Sequence, residues 1–216
     1  MTIQLPVPDY TAARQAMVDS QLRPQGVSDP LVVAAMAKVP RELFVPEEFR
    51  PLAYADRSVS MGGGRKLSPA DATGLLLTAL APRPGQKALV VGAGTGYAAA
   101  LLSEIEVDVV ALDSDPALLS VAAERGLNTA HGQLEAGFAA GAPYDLILID
   151  GAVGHVPDEL TDQLRDGGLI GYAVIDRGVT RLVVGRKAAN AVGTRTIADS
   201  AVDPLPGFTR PRAFTF

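Results

Sequence analysis

A chain of 216 residues with 48% apolar side chains is long enough to bury a substantial core and short enough to form one domain. Its formal net charge of −5 and pI near 5.0, with basic residues scattered along the chain, argue against nucleic acid as the main partner, because neutralising phosphates takes a clustered basic face. The absence of cysteine excludes disulfides and thiolate chemistry, and with only His131 and His155 available no metal site is expected.

Residues 1–15 lack the basic and continuously apolar regions of a signal peptide, and no uncharged run approaches the roughly 20 apolar residues of a membrane span. A cytoplasmic protein without membrane association is expected. The segment 10–23 spaces Ala13, Met17 and Leu22 as a helix that Pro24 and Gly26 end, and 28–39 reads as a second helix with Ser28 or Asp29 as N-cap and Pro30 in its first turn. Residues 40–56 are punctuated by proline and read as short turns. They lead into "MGGGRKLSPAD" (61–71), in which three glycines precede Arg65, Lys66 and Ser68. From Ser68, a capping hydroxyl, an acid at Asp71 and an apolar stripe predict a helix up to Pro82.

The remainder alternates strands and helices. Residues 87–91, 107–113, 144–150 and 168–175 are apolar on both faces, as strands of a covered parallel sheet are, and 96–105, 115–126 and 156–167 read as crossover helices. Residues 180–188 and 212–216 are shorter strand candidates, and the last stretch, 203–216, carries too much proline to read. The expected architecture is α/β: a doubly wound, mostly parallel sheet flanked by helices, preceded by an N-terminal helical segment.

"ALVVGAGTGYAAALL" sets Gly92, Gly94 and Gly96 between a strand and a helix, a tight turn that presents backbone N–H groups with no Cβ in a ligand's way. Asp113 ends the next strand 21 residues after Gly92, where a carboxylate accepts hydrogen bonds from ribose hydroxyls. The third glycine comes one residue early for a dinucleotide fingerprint, with Tyr97 in its expected place. That spacing disfavours an NAD-dependent dehydrogenase and favours an adenosyl cofactor without a pyrophosphate, with S-adenosyl-L-methionine fitting best.

"MVDSQLRPQGVSDPLVVAAMAKVPRELFVP", "AYAD", "GAGTGYAAALL" and "PYDLILIDGAVGHVPDELTDQLRDGGLIGYAV" together resemble the protein-L-isoaspartate O-methyltransferases, a family of the class I, Rossmann-like methyltransferases, up to about residue 175. The resemblance implies one methyltransferase domain. Residues 1–67 would form a helical, substrate-side segment and 68–216 the cofactor-binding core. It implies methylation of the carboxylate of isoaspartyl residues in damaged proteins or peptides, with S-adenosyl-L-homocysteine as product. Ser68 would stand by the acceptor as the catalytic residue, with Gly64, Arg65, Lys66 and Leu67 on the substrate side. The cofactor would meet Val91, Gly92, Ala93, Gly94, Thr95, Gly96, Tyr97, Asp113, Ser114, Gln133 and Leu134.

The sequence departs from the family at several of these places. Val90 stands where an acid usually holds the cofactor's ammonium, and Arg65 and Lys66 replace glutamine and threonine. Gly132, Gln133 and Leu134 replace Gly-Asp-Gly, leaving a neutral partner for the adenine amino group, and Asp150 stands where threonine is common. The departures cluster at cofactor and acceptor, so another acceptor, or a cofactor-binding module without repair activity, is the alternative reading. His131 and His155 read as loop or surface residues, and "RPRAF" near the end as a solvated tail.

Overall fold

The structure, a computed structural model, describes residues 9–208. Helix α1 (Tyr10–Met17) starts where Asp9 accepts from the Thr11 and Ala12 amides, and it runs into a wider π-helical turn at Val18–Leu22. In α2 (Pro30–Lys38) the Asp29 carboxylate caps the Leu31 and Val32 amides at 2.9 and 3.3 Å, with Pro30 in the first turn, where its missing N–H costs nothing. The expected short turns are two 3₁₀ segments, Arg41–Phe44 and Glu47–Leu52. The glycine-rich segment, which carried no strand expectation, folds into an antiparallel hairpin of β1 (Val59–Gly62) and β2 (Arg65–Leu67).

After α3 (Ala70–Leu80) come β3 (Lys87–Val91), α4 (Tyr97–Glu104), β4 (Asp108–Asp113), α5 (Pro116–Glu124) and β5 (Thr129–His131). They are followed by β6 (Tyr144–Val153), α6 (Asp158–Asp162), β7 (Leu164–Asp176), β8 (Val179–Ala188) and β9 (Ala191–Asp199). The main sheet has the order β5-β4-β3-β6-β7-β8-β9. Its first five strands are parallel, while β8 and β9 return antiparallel. Along β3 the side chains alternate between two cores: Ala88 and Val90 face the helical side with α3 and α4, and Leu89 and Val91 face the other. Covering on both faces explains why these strands show no polar alternation in the sequence.

Two expectations are corrected. The helix read over 156–167 is only the five residues of α6, because Leu160 alone of that turn is buried and Leu164 already pairs with Tyr144 in the sheet. Edge strand β9 was not anticipated, since its mostly exposed faces and Gly-Thr-Arg-Thr sequence give no periodic apolar signal. The strand candidate at 212–216 and the tail reading of "RPRAF" lie outside the described residues.

Leu77 of α3 is fully buried, whereas Leu43 is 41% exposed. Truncating Leu77 to alanine is expected to cost about 2–5 kcal/mol in urea unfolding, and Leu43→Ala about 0.5 kcal/mol or less.

Candidate active site

The chain builds β3, β4 and β5 outward in one direction and then places β6 on the other side of β3. The switch point, where open α/β sheets bind ligands, therefore lies beyond the C-terminal ends of β3 and β6. From Val91 the backbone turns through Gly92 (φ 74°), Gly94 (φ 56°) and Gly96 (φ 95°), left-handed values that only glycine adopts freely. The Gly92 and Ala93 amides donate to the Leu112 carbonyl at 2.9 and 3.0 Å, tying the turn to β4.

Asp113, at the end of β4, is fully buried. Its Oδ2 accepts from the Gly94 amide at 2.7 Å and its Oδ1 from the Asp115 amide at 3.0 Å. Arg65 of β2 completes the set: Nη1 donates to Asp113 Oδ1 at 3.0 Å and Nη2 to the Gly92 carbonyl at 2.9 Å. A two-pronged contact of this kind suits the planar guanidinium. Gly62, Gly63 and Gly64, at the tip of the hairpin, all have positive φ.

Ser68 does not cap a helix, contrary to the sequence reading. Helix α3 begins at Ala70 after Pro69, and the Ser68 hydroxyl is turned instead to β6, donating to Asp150 Oδ1 at 2.8 Å. Burial pushes the Asp150 carboxyl up from its ordinary value; the Ser68 hydrogen bond and the charges of Arg65 and Arg41 pull the other way, and Asp113 adds to the rise. Arg41 went unnoticed in the sequence, where an arginine in "VPRELF" follows no spacing that marks it as special. It is fully buried, donates from Nε to the Ala53 carbonyl at 2.7 Å and from Nη2 to the Ser68 carbonyl at 2.6 Å, and lies 4.8 Å from the Tyr97 ring centroid.

The other expected residues are spread over several surroundings. Thr95 Oγ1 donates to the Phe44 carbonyl at 2.6 Å and so joins the N-terminal segment to the glycine turn. Gly64 and Lys66 are exposed at the hairpin, and Lys66 Nζ pairs with Asp203 at 2.7 Å. Val91 and Leu134 lie in the second core, Ala93, Leu67 and Tyr97 are buried among apolar neighbours, and Ser114 and Gln133 are exposed. His131 is exposed on β5, and His155 is partly buried after β6.

The C-terminal segment contributes what the sequence left unread. Ala152 donates to the Asp203 carbonyl at 2.9 Å and accepts from the Leu205 amide at 2.8 Å, so residues 203–205 run alongside β6. Leu205 covers the turn closely: a Cβ on Gly92 would lie 2.7 Å from it, and one on Gly94 2.6 Å from Met61. Between hairpin and segment remains a cavity of about 140 Å³, lined by Gly64, Arg65, Lys66, Ser68, Asp150, Gly151, Asp203, Pro204 and Leu205. Among the described residues no group of three His, Cys, Asp or Glu side chains could hold a metal ion.

The glycine turn and the buried Asp113 lie together at the switch point, and the sheet order is that of the class I S-adenosylmethionine-dependent methyltransferase fold. The protein-L-isoaspartate(D-aspartate) O-methyltransferase family model matches residues 12–201. Two similar curated proteins are protein-L-isoaspartate O-methyltransferase 1 of Rhodopseudomonas palustris and protein-L-isoaspartate O-methyltransferase of Methylorubrum extorquens. The first is 36% identical over 207 residues, covering 92% of this chain and 84% of that protein. The second is 37% identical over 207 residues, covering 93% and 91%. A solved Plasmodium falciparum protein, described as a putative protein-L-isoaspartate O-methyltransferase and in complex with S-adenosyl-L-homocysteine, shares the fold with a TM-score of 0.77 at 17% identity, covering 92% of this chain and 99% of that one. The chain belongs to the protein-L-isoaspartate(D-aspartate) O-methyltransferase family.

The Asp150 environment carries a pH signature. A carboxyl held above its unfolded value contributes its full stability below the unfolded pKa, near 4, and loses it as pH rises through the native titration. Asp150→Asn, which keeps an acceptor for Ser68, is therefore expected to be more stable than the parent at about pH 8, with the gain vanishing towards about pH 3. Urea unfolding across that range measures it.

Proposed function

We propose that this chain transfers the methyl group of S-adenosyl-L-methionine to the carboxylate of L-isoaspartyl residues in damaged proteins or peptides, releasing S-adenosyl-L-homocysteine. The observation that carries this reading is the convergence of the glycine turn, the buried Asp113 and the Ser68 hydroxyl at one end of the switch point, in a chain of this family. The sulfonium cofactor supplies an activated methyl group. Asp113 accepts the ribose hydroxyls, and Gly92 and Gly94 let the backbone approach the ligand. The acceptor carboxylate is already ionised near neutral pH, so no general base is needed. The work left to the protein is alignment and exclusion of water.

Ser68 lies at the acceptor side, its backbone held by Arg41 and its hydroxyl by Asp150. On this reading residues 1–67 shape the acceptor side of one methyltransferase domain and 68–216 carry the cofactor. The absence of cysteine supports a cytoplasmic location, and among the described residues no helix is long and apolar enough to cross a membrane.

One observation favours a second reading. The Asp150 carboxylate touches Ser68, so an anionic acceptor there meets a like charge whenever Asp150 is ionised, while an amine or hydroxyl acceptor does not.

Labelled methyl transfer to an isoaspartyl peptide, run beside amine and hydroxyl acceptors, decides between them. The repair reading expects label on the isoaspartyl peptide, with Ser68→Ala lowering kcat about a hundredfold and leaving affinity for S-adenosyl-L-homocysteine within about threefold. Label on the amine or hydroxyl acceptor alone selects the second reading.

A further inference from the structure

Asp113 is the carboxylate assigned above to the ribose, and it already accepts from three donors. Oδ2 takes the Gly94 amide, and Oδ1 takes both the Asp115 amide and Arg65. A ribose diol brings two hydroxyl donors to the same carboxylate. Arg65 stands in their way, 8% exposed, with its second nitrogen on the carbonyl of Gly92, the first residue of the turn. The neighbouring cavity, about 140 Å³, is less than half of the roughly 300 Å³ at which small-molecule sites begin. An adenosyl ligand therefore has to displace part of the protein itself.

The element that carries Arg65 is suited to moving. Strand β2 has three residues and pairs only with β1, in a two-stranded sheet of a size that contributes little stability alone. Val59, Met61 and Leu67 anchor the strands in the core, but the tip is three consecutive glycines with positive φ, of which only Gly63 is closely packed, against Asp115, while a Cβ built on Gly62 or Gly64 would meet nothing within 4 Å. The neighbouring Lys66–Asp203 pair is partly solvent-exposed, and pairs at the surface contribute about 1 kcal/mol or less. Arg65–Asp113 is different: both groups are buried, and withdrawing the guanidinium would leave the carboxylate a cation short unless new donors replace it.

We propose that Arg65 is a built-in competitor for the ribose site: in the free protein its guanidinium occupies Asp113 and the Gly92 carbonyl, and cofactor binding requires it to swing out on the Gly62–Gly64 tip. The inference rests on the cofactor reading above. Apparent affinity for the cofactor is then the intrinsic affinity reduced by the fraction of molecules in which Arg65 is withdrawn. The same residue stabilises the empty protein and weakens its binding, which sets Arg65 apart from an arginine that merely builds the site.

The test uses the full chain, with Arg65→Gln and Arg65→Lys, in calorimetric titration with S-adenosyl-L-homocysteine and in thermal unfolding with and without it. Arg65→Gln is expected to unfold at a lower temperature when free, yet to bind S-adenosyl-L-homocysteine at least about tenfold more tightly. Arg65→Lys is expected to fall between, because one ammonium cannot bridge both acceptors as the fork does. Should the glutamine variant not fold, the lysine variant carries the same comparison. Equal or weaker binding by the variants, with the parent binding well, overturns the competitor role and leaves the cofactor reading standing. If neither parent nor variants bind at millimolar ligand, both fall.

Discussion

A carboxylate buried as fully as Asp113 has to be satisfied by the groups around it, and the switch-point end of the molecule is arranged to do so. The requirement acts on three parts of the chain at once. It holds the glycine turn, where the Gly94 amide, in a left-handed stretch of backbone, donates to Oδ2. It orders the start of α5 through the Asp115 amide. It also draws the β1–β2 hairpin down onto the sheet through Arg65. The carboxylate proposed to bind the cofactor thus also ties the hairpin to the sheet.

A second buried charge, Arg41, organises the surroundings of Ser68. Arg41 brings a guanidinium into the interior and meets it with the Ala53 and Ser68 carbonyls and the Tyr97 ring. Ser68 is thereby anchored through its backbone, and its hydroxyl is free to reach across to Asp150 on β6. Phe44 packs edge-on against Tyr97 at 5.3 Å while its carbonyl accepts from Thr95, so the N-terminal segment and the glycine turn are built as one wall. Segment 203–208 closes the opposite side by hydrogen-bonding along β6 and laying Leu205 over Gly92 and Gly151.

Much of this was legible in the sequence. Apolar runs separated by helical patterns marked β3, β4, β6 and β7, although β7 starts four residues earlier than expected and the three-residue β5 left no signal, and Asp29 with Pro30 marked the start of α2. The pairing of the glycine turn with Asp113 could be read because both are fixed by spacing along a βαβ unit. What escaped was non-local. Ser68 looks like a cap because local sequence cannot reveal a partner 82 residues away on β6. Arg65 and Lys66 read only as cations replacing neutral residues; that one of them reaches Asp113 depends on how the hairpin lies on the sheet. Strand β9 and segment 203–208 owe their placement to neighbouring backbone rather than to any periodicity of their own.

A crystal structure of this chain with S-adenosyl-L-homocysteine is the most direct test of the central claim that one carboxylate serves two exclusive partners. The account predicts ribose hydroxyls on both oxygens of Asp113 and the Arg65 guanidinium withdrawn from them and from the Gly92 carbonyl. A bound ligand with Arg65 still bridging those two groups would contradict it.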